Sequence, residues 1–161
     1  MRKFFVLIFF VFSFVLASEV EDVLMPEVDR CIKERDAKSC NYLASIIMFQ
    51  FKTGILLQKD AKIFDTAIKL FSISCDESDS PMGCLMLALI YSGDLDYLPG
   101  IKDRKLYLTY LDKACSLNNG YACYRLGLAL AYKNDQNTIP LFRKGCELGN
   151  QESCNQFLKL K

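Results

Sequence analysis

Apolar residues recur along most of this chain at three- and four-residue steps, and short polar turns separate the segments with this spacing. In the segment from Lys102 to Leu117, for example, Leu106, Tyr110 and Ala114 fall on one face of a helix. Helices are predicted in the same way for residues 19–33, 40–57, 60–76, 84–91, 121–132 and 138–147. The pattern therefore predicts an all-α protein.

The cysteines repeat in register with these helices. Each of four pairs encloses a polar turn, with the first cysteine at the end of one predicted helix and the second at the start of the next. The eight positions are Cys31, Cys40, Cys75, Cys84, Cys115, Cys123, Cys146 and Cys154. Large apolar residues stand three positions after each second cysteine. An internal repeat of this kind predicts a solenoid of antiparallel helix pairs, each burying its apolar face against its neighbours.

The N-terminus has the pattern of a signal peptide. Basic Arg2 and Lys3 precede an apolar run over residues 4–16, and Ala17 offers a small side chain for cleavage. An uncleaved membrane anchor is the alternative, although the run is shorter than the roughly 20 residues that a span needs. The expected organisation is a signal peptide at 1–17 and a repeat domain at 18–161. Such a protein is exported to the periplasm or secreted, and contacts a membrane only through its signal peptide.

Segment 42–57 is the most apolar internal stretch, which raises the question of a second membrane span. Gln50, Lys52 and Gly54 interrupt it. A helix buried in the protein core is therefore the preferred interpretation.

Composition excludes several functions. The net charge is +1 without a basic cluster, which argues against nucleic-acid binding. Histidine is absent, so the commonest general base and metal ligand is missing. No metal or other cofactor is predicted. The cysteine spacing lacks the C-x-x-C of thioredoxin-like sites and of many zinc sites, and structural disulfides in an oxidising compartment are the expected use.

Two segments carry a resemblance to a known family. Residues 113–127 resemble Sel-one-like repeats. The run Leu141-Phe142-Arg143-Lys144-Gly145-Cys146-Glu147-Leu148-Gly149 resembles the second helix of a repeat in the secreted Helicobacter cysteine-rich proteins. The paired cysteines resemble those of the secreted Helicobacter cysteine-rich proteins, from about Pro26 to the C-terminus. The first complete unit departs most, because it lacks the usual Leu-Gly. The resemblance implies a TPR-like α/α superhelix with one disulfide per repeat. It also implies export and either penicillin binding with weak β-lactamase activity or, as in other repeats of this class, an adaptor role.

The repeat selects one disulfide pairing. The end of a helix and the start of its antiparallel successor are neighbours, whereas equivalent cysteines of adjacent repeats would be about 10 Å apart, too far for a bridge. The expected bridges are Cys31–Cys40, Cys75–Cys84, Cys115–Cys123 and Cys146–Cys154. Only a stub of a helix is predicted after the last cysteine.

The sequence contains only a fragment of the motif set of serine β-lactamases. Lys52-Thr53-Gly54 matches one motif of the serine enzymes, but no serine is followed three residues later by lysine and no Ser-Asp-Asn occurs. The tripeptide is therefore interpreted as the end of a helix. Four acidic residues are interpreted as loop and cap residues, namely Asp60, Asp65, Asp94 and Asp96. A zinc lactamase would need the missing histidines. No catalytic residue is assigned.

Because no catalytic residue is assigned, a binding surface is the functional feature that the sequence still offers. The first helix of each unit is expected to line the concave side of the superhelix. The candidates are Asn41, Leu85, Tyr124 and Asn155, directly after the second cysteines, with Tyr42 and Arg125 beside them. Tyrosine and asparagine at these positions either bind an extended peptide or pack between units. Protein or peptide binding is the leading functional hypothesis, and the alternative ligand is a β-lactam or a peptidoglycan-like peptide.

Overall fold

The computed structural model describes residues 24–56, 61–98, 101–131 and 138–160, and within these ranges all regular structure is helical. The elements are α1 (residues 24–34), α2 (Ala37–Lys52), α3 (Ala61–Ser72, continued by a π-helical turn at Ile73–Glu77), α4 (Pro81–Ser92), α5 (Arg104–Ser116), α6 (Gly120–Ala131), α7 (Thr138–Glu147) and α8 (Gln151–Leu160). The all-α prediction is confirmed. The expected signal peptide at 1–17 lies outside the described residues.

The helices form three antiparallel hairpins, α2–α3, α4–α5 and α6–α7, stacked in chain order. The second helix of each hairpin packs on the first helix of the next, and α7 packs on α8. In addition, α2 contacts α4 and α6 contacts α8. Helices on the inside of a curved stack approach one another more closely than those on the outside. We therefore call α2, α4, α6 and α8 the inner helices.

Four disulfides join the hairpins. The structure pairs Cys31 with Cys40, Cys75 with Cys84, Cys115 with Cys123, and Cys146 with Cys154. The paired Cα atoms are 4.4–4.8 Å apart, within the range of disulfides. Each bridge joins the start of an inner helix to the end of the helix before it.

Every inner helix begins with a polar cap four residues before its second cysteine. The caps are Asp36, Ser80, Asn119 and Asn150. In each case the side-chain oxygen accepts a hydrogen bond from the backbone N–H three residues later, and the backbone carbonyl accepts one from the cysteine N–H. Such caps stabilise a helix by about 1 kcal/mol each. The residue before each cap has a left-handed backbone, at Arg35, Asp79, Asn118 and Gly149.

Small residues let the helices approach closely at three of the four disulfide junctions. Between α3 and α4, a Cβ added at Gly83 would lie 2.7 Å from Ser74 Oγ. Between α7 and α8, one added at Gly145 would lie 2.8 Å from Ser153 Cβ. Two buried alanines occupy the equivalent positions between α5 and α6. At these three junctions the two facing residues are either Ser with Gly or Ala with Ala, so their combined side-chain volume is nearly constant.

The hairpins themselves are held by larger side chains. Tyr91 of α4 stacks on Tyr110 of α5 with ring centroids 5.8 Å apart, and burial raises the pKa of both hydroxyls. Gly127 of α6 faces the ring of Phe142, which is 1% exposed. The equivalent residues of α2 and α4, Ala44 and Ala88, are also small and fully buried.

Two expectations need correction. The segment after Cys154 is not a stub, because α8 is a ten-residue helix that Asn150 caps and that packs against α7. The apolar segment 42–57 is not uniformly buried, since Phe49 is 62% and Ile55 69% exposed. Among the described helices, none combines the length and apolar character that crossing a membrane requires.

Candidate binding face

Two positions of every inner helix lie on the side away from the core. The first is exposed in all four helices, whereas the second is exposed in α2 and partly buried in α4, α6 and α8. In α2, α4 and α6, the residues one before, at, three after and four after the second cysteine are buried, apart from partly buried Leu43. In α8 only Ser153 is fully buried, so the core-facing side is clearest in the first three inner helices. Positions two before and two after that cysteine are on the opposite side of the helix, because each residue turns the chain by about 100°. We call these eight residues the inner row: Lys38, Met82, Tyr121 and Glu152 before the cysteine, and Tyr42, Met86, Arg125 and Gln156 after it.

The inner row is charged at its ends and apolar or aromatic near its middle. Lys38 and Glu152 are exposed on the first and last inner helices. Between them, Met82 is 51% exposed and Tyr121 38% exposed. Methionine and tyrosine adapt to varied partners with large contact areas, and exposed apolar side chains grouped on one face mark interaction sites.

Arg125 is the most highly organised residue of the inner row. Its Nε donates to Tyr107 Oη at 3.3 Å, its Nη1 donates to Tyr121 Oη at 3.1 Å, and its Nη2 donates to Tyr107 Oη at 3.2 Å. The guanidinium carbon lies 5.9 Å from the centroid of each phenol ring. Nη2 also forms an ion pair with Asp94 Oδ2 at 3.2 Å. Two rings and one carboxylate therefore fix the orientation of the guanidinium.

Three elements bring these groups together. Tyr121 and Arg125 are neighbours one turn apart on α6, Tyr107 comes from α5, and Asp94 follows the left-handed Gly93 that ends α4. Burial acts to lower the pKa of Arg125, but the hydrogen bonds to Tyr121 and Tyr107 outweigh it, and the net effect raises this pKa. The guanidinium is charged at any physiological pH.

The four residues predicted directly after the second cysteines are placed differently from one another. Leu85 is 8% exposed and belongs to the core, so its assignment to a binding face is wrong. Asn41 donates through Nδ2 to Ser80 Oγ at 3.0 Å, at the contact between α2 and α4. Tyr124 packs near Phe142, with ring centroids 6.3 Å apart. Asn155 is exposed. This position lies on the flank of the helix, towards the neighbouring repeat, and not opposite the core.

Tyr42, by contrast, is 48% exposed and lines an open depression at the N-terminal end of the inner row. The depression has a volume of about 500 Å³, and acidic and basic side chains of both α1 and α2 surround it. Asp36 lies at its edge, where hydrogen bonds from the side chain and backbone of Ser39 lower the pKa of its carboxyl group. The charges are of mixed sign, so the depression has no preference for one charge.

The Lys52-Thr53-Gly54 tripeptide is at the end of α2. Thr53 Oγ1 donates to the carbonyl of Phe49 at 2.9 Å, and Gly54 has a φ of 76°. Both features are typical of a helix end. No cluster of three acidic or cysteine side chains that could hold a metal ion occurs within the described ranges.

Comparison with solved structures places this architecture among known proteins. Cysteine rich protein B of Helicobacter pylori superimposes with a TM-score of 0.56 and 23% sequence identity, over 85% of this chain and 93% of that one. The two proteins share one fold. The expected resemblance to the Helicobacter cysteine-rich proteins is confirmed at this level, and the chain is a disulfide-stabilised helical repeat protein. No family model and no curated protein sequence matches the chain.

Sequence reasoning missed three partners of Arg125. Tyr121 could have been found, because it lies four residues before Arg125 and therefore one helical turn away. Tyr107 was not among the candidate site residues, and Asp94 was interpreted as a loop residue. Their convergence depends on the packing of α5 on α6 and of the α4–α5 loop, which no local spacing reveals.

Proposed function

We propose that this chain is an exported repeat protein whose inner row binds another protein or a peptide. The observation that carries the proposal is that the position two residues before the second cysteine is exposed on all four inner helices, with methionine and tyrosine near the middle. A row that served only to pack repeats together would be buried. Four disulfides favour an oxidising compartment, which agrees with export to the periplasm or the medium.

The dimensions of the row suit an extended segment. Neighbouring packed helices are about 10 Å apart, and an extended chain advances about 3.3 Å per residue. Where α2 contacts α4 and where α6 contacts α8, one step between inner helices therefore matches about three ligand residues. The disulfides and caps hold the inner helices in place before binding, which lowers the entropic cost of association.

Site-specific photo-crosslinking in the native cell tests this proposal. A photoreactive amino acid is placed at Met82 or Glu152 of the inner row, and at exposed Lys69 of α3 or Asp112 of α5 as matched controls. We expect the two inner positions to crosslink to the same partner and the two control positions not to do so. Equal crosslinking from the control positions, or no shared partner at the inner ones, would refute the proposed function.

A further inference from the structure

We propose that Arg125, Tyr107 and Tyr121 form a binding site for a carboxylate group of the bound peptide, and that Asp94 occupies this site in the free protein. The inference rests on the proposed function, because it assigns the chemistry of the ligand to the centre of the inner row.

The site contains more hydrogen-bond donors than acceptors. The phenol oxygens of Tyr107 and Tyr121 both accept from the guanidinium. Each phenol O–H remains a donor, and neither has an acceptor among the described residues. Asp94 is the carboxylate that the structure supplies to this group of donors. An oxyanion is the ligand that satisfies such a set.

The donors are also strengthened by their neighbours. A hydroxyl that accepts a hydrogen bond from a cation is polarised and becomes a better donor to a further acceptor. Because the guanidinium is already oriented by two phenols, little side-chain entropy remains to be lost when a ligand binds. A planar carboxylate suits the edge of a guanidinium better than it suits a lysine ammonium.

Asp94 is held weakly enough to be exchanged for a ligand. Its side chain is 65% exposed, and it contacts Arg125 through one oxygen, Oδ2, at 3.2 Å. It lies in the α4–α5 loop, directly after left-handed Gly93. Exposed ion pairs of this kind are weak, so competition from Asp94 would reduce the affinity for an external carboxylate by at most about five-fold.

A peptide carboxylate is favoured over a polyanion by the surrounding charge. The net charge of the chain is +1 and no basic cluster accompanies Arg125. Met82, which is 51% exposed on α4, provides a contact for the apolar parts of a peptide. One acidic side chain or one C-terminus, flanked by apolar residues, fits this arrangement.

The test follows the Arg125 Nε–Hε resonance by NMR in the full exported chain, titrated with sodium acetate at constant ionic strength. We expect a saturable shift in the wild type and, in Asp94→Asn, tighter binding by up to about five-fold. The matched control is Asp96→Asn, which removes the same charge from the same loop two residues away and should bind as the wild type does. Asp96 is exposed and forms no ion pair among the described residues.

Two further variants test the donors. Tyr121→Phe and Tyr107→Phe each remove one O–H, and combined with Asp94→Asn each should weaken acetate binding several-fold. Melting curves of these variants separate a loss of donors from a loss of structure. Absence of a saturable shift in Asp94→Asn, an equal gain in Asp96→Asn, or unchanged binding in folded phenylalanine variants would overturn the assignment.

Short peptides identify the source of the carboxylate. Ac-Gly-Asp-Gly-NH2 presents a side-chain carboxylate, Ac-Gly-Gly-Gly-OH presents a terminal one, and Ac-Gly-Asn-Gly-NH2 is the neutral control. We expect one of the first two to reproduce the acetate shift, and failure of both overturns the assignment to a peptide. Inner-row crosslinks that persist without carboxylate binding would reject this site alone. Absent crosslinks with intact carboxylate binding would instead reject the proposed function.

Discussion

Two substitutions would give the junction between α7 and α8 the same pair of facing residues as the junction between α5 and α6. Ser153 is fully buried, and its Oγ has no hydrogen-bond partner among the described residues. Replacing it by alanine removes a desolvated hydroxyl, so Ser153→Ala should raise the free energy of unfolding by about 1 kcal/mol. Gly145→Ala alone should lower it by about 1–2 kcal/mol, because overpacking exceeds the gain of about 1 kcal/mol in helix propensity.

The double variant is the decisive one, because it recreates the pair that Ala114 and Ala122 form between α5 and α6. A Cβ added at Gly145 would lie 2.8 Å from Ser153 Cβ and 3.0 Å from the carbonyl oxygen of Gly120, so the helices must separate slightly. Without the Ser153 hydroxyl this shift is small. We expect the double variant to be at least 1 kcal/mol more stable than the sum of the single changes predicts.

Urea denaturation followed by circular dichroism measures these free energies, with the m-value as a check on two-state unfolding. Ser116→Ala, which removes an exposed hydroxyl at the end of α5, is the matched control and should change stability by less than about 0.5 kcal/mol. Strict additivity of the two single changes, or a destabilising Ser153→Ala, would refute the reasoning about volume conservation at the junction.

Four other predictions concern the bridges, processing and activity. Non-reducing peptide mapping should find the four bridges described, each worth about 2.5 kcal/mol in the chain-entropy model, and a cross-repeat bridge would contradict the fold. Replacing both cysteines of Cys115–Cys123 by serine should lower the melting temperature more than the same change at Cys146–Cys154, because repeats on both sides depend on the central junction; the reverse order would contradict this. Intact mass of the cell-envelope form should show a chain starting at Ser18, and retention of the apolar segment would indicate an anchor. Nitrocefin turnover by homogeneous, metal-free protein should stay below about 1 s⁻¹, and faster turnover would favour the β-lactamase hypothesis.

The architecture was predictable because the cysteines occur at the same structural position in every repeat. Each lies where one helix ends and the next begins, so their spacing alone locates the junctions. The length of α8 was not predictable from apolar spacing, because its residues after Phe157 include exposed Leu158 and Leu160. The cap at Asn150 is the local signal that was overlooked, and it recurs as Asp36, Ser80 and Asn119.

The binding face was only partly predictable because it depends on the angle around the helix axis at which each side chain projects. Residues directly after the second cysteine are turned about 100° from it, and the course of the neighbouring helix decides whether such a residue is buried. Leu85 lies in the middle of the stack and is buried, whereas Asn155 on the last helix is exposed. Helical spacing gives the period of a face, but the packing of adjacent repeats determines which face remains open.

The placement of the rigid junctions has a consequence for how such a chain can change. A left-handed residue, a cap and a disulfide define each connection between hairpins within eight or nine residues, whereas the distance between successive second cysteines falls from 44 to 39 to 31 residues. The variation is absorbed within the hairpins, on the side away from these junctions. Insertions and deletions there leave the step from one inner helix to the next unaltered. The segment between two disulfides is therefore the natural unit to insert, delete or replace in such a chain. Repeats of different length can then present ligand contacts at the same intervals.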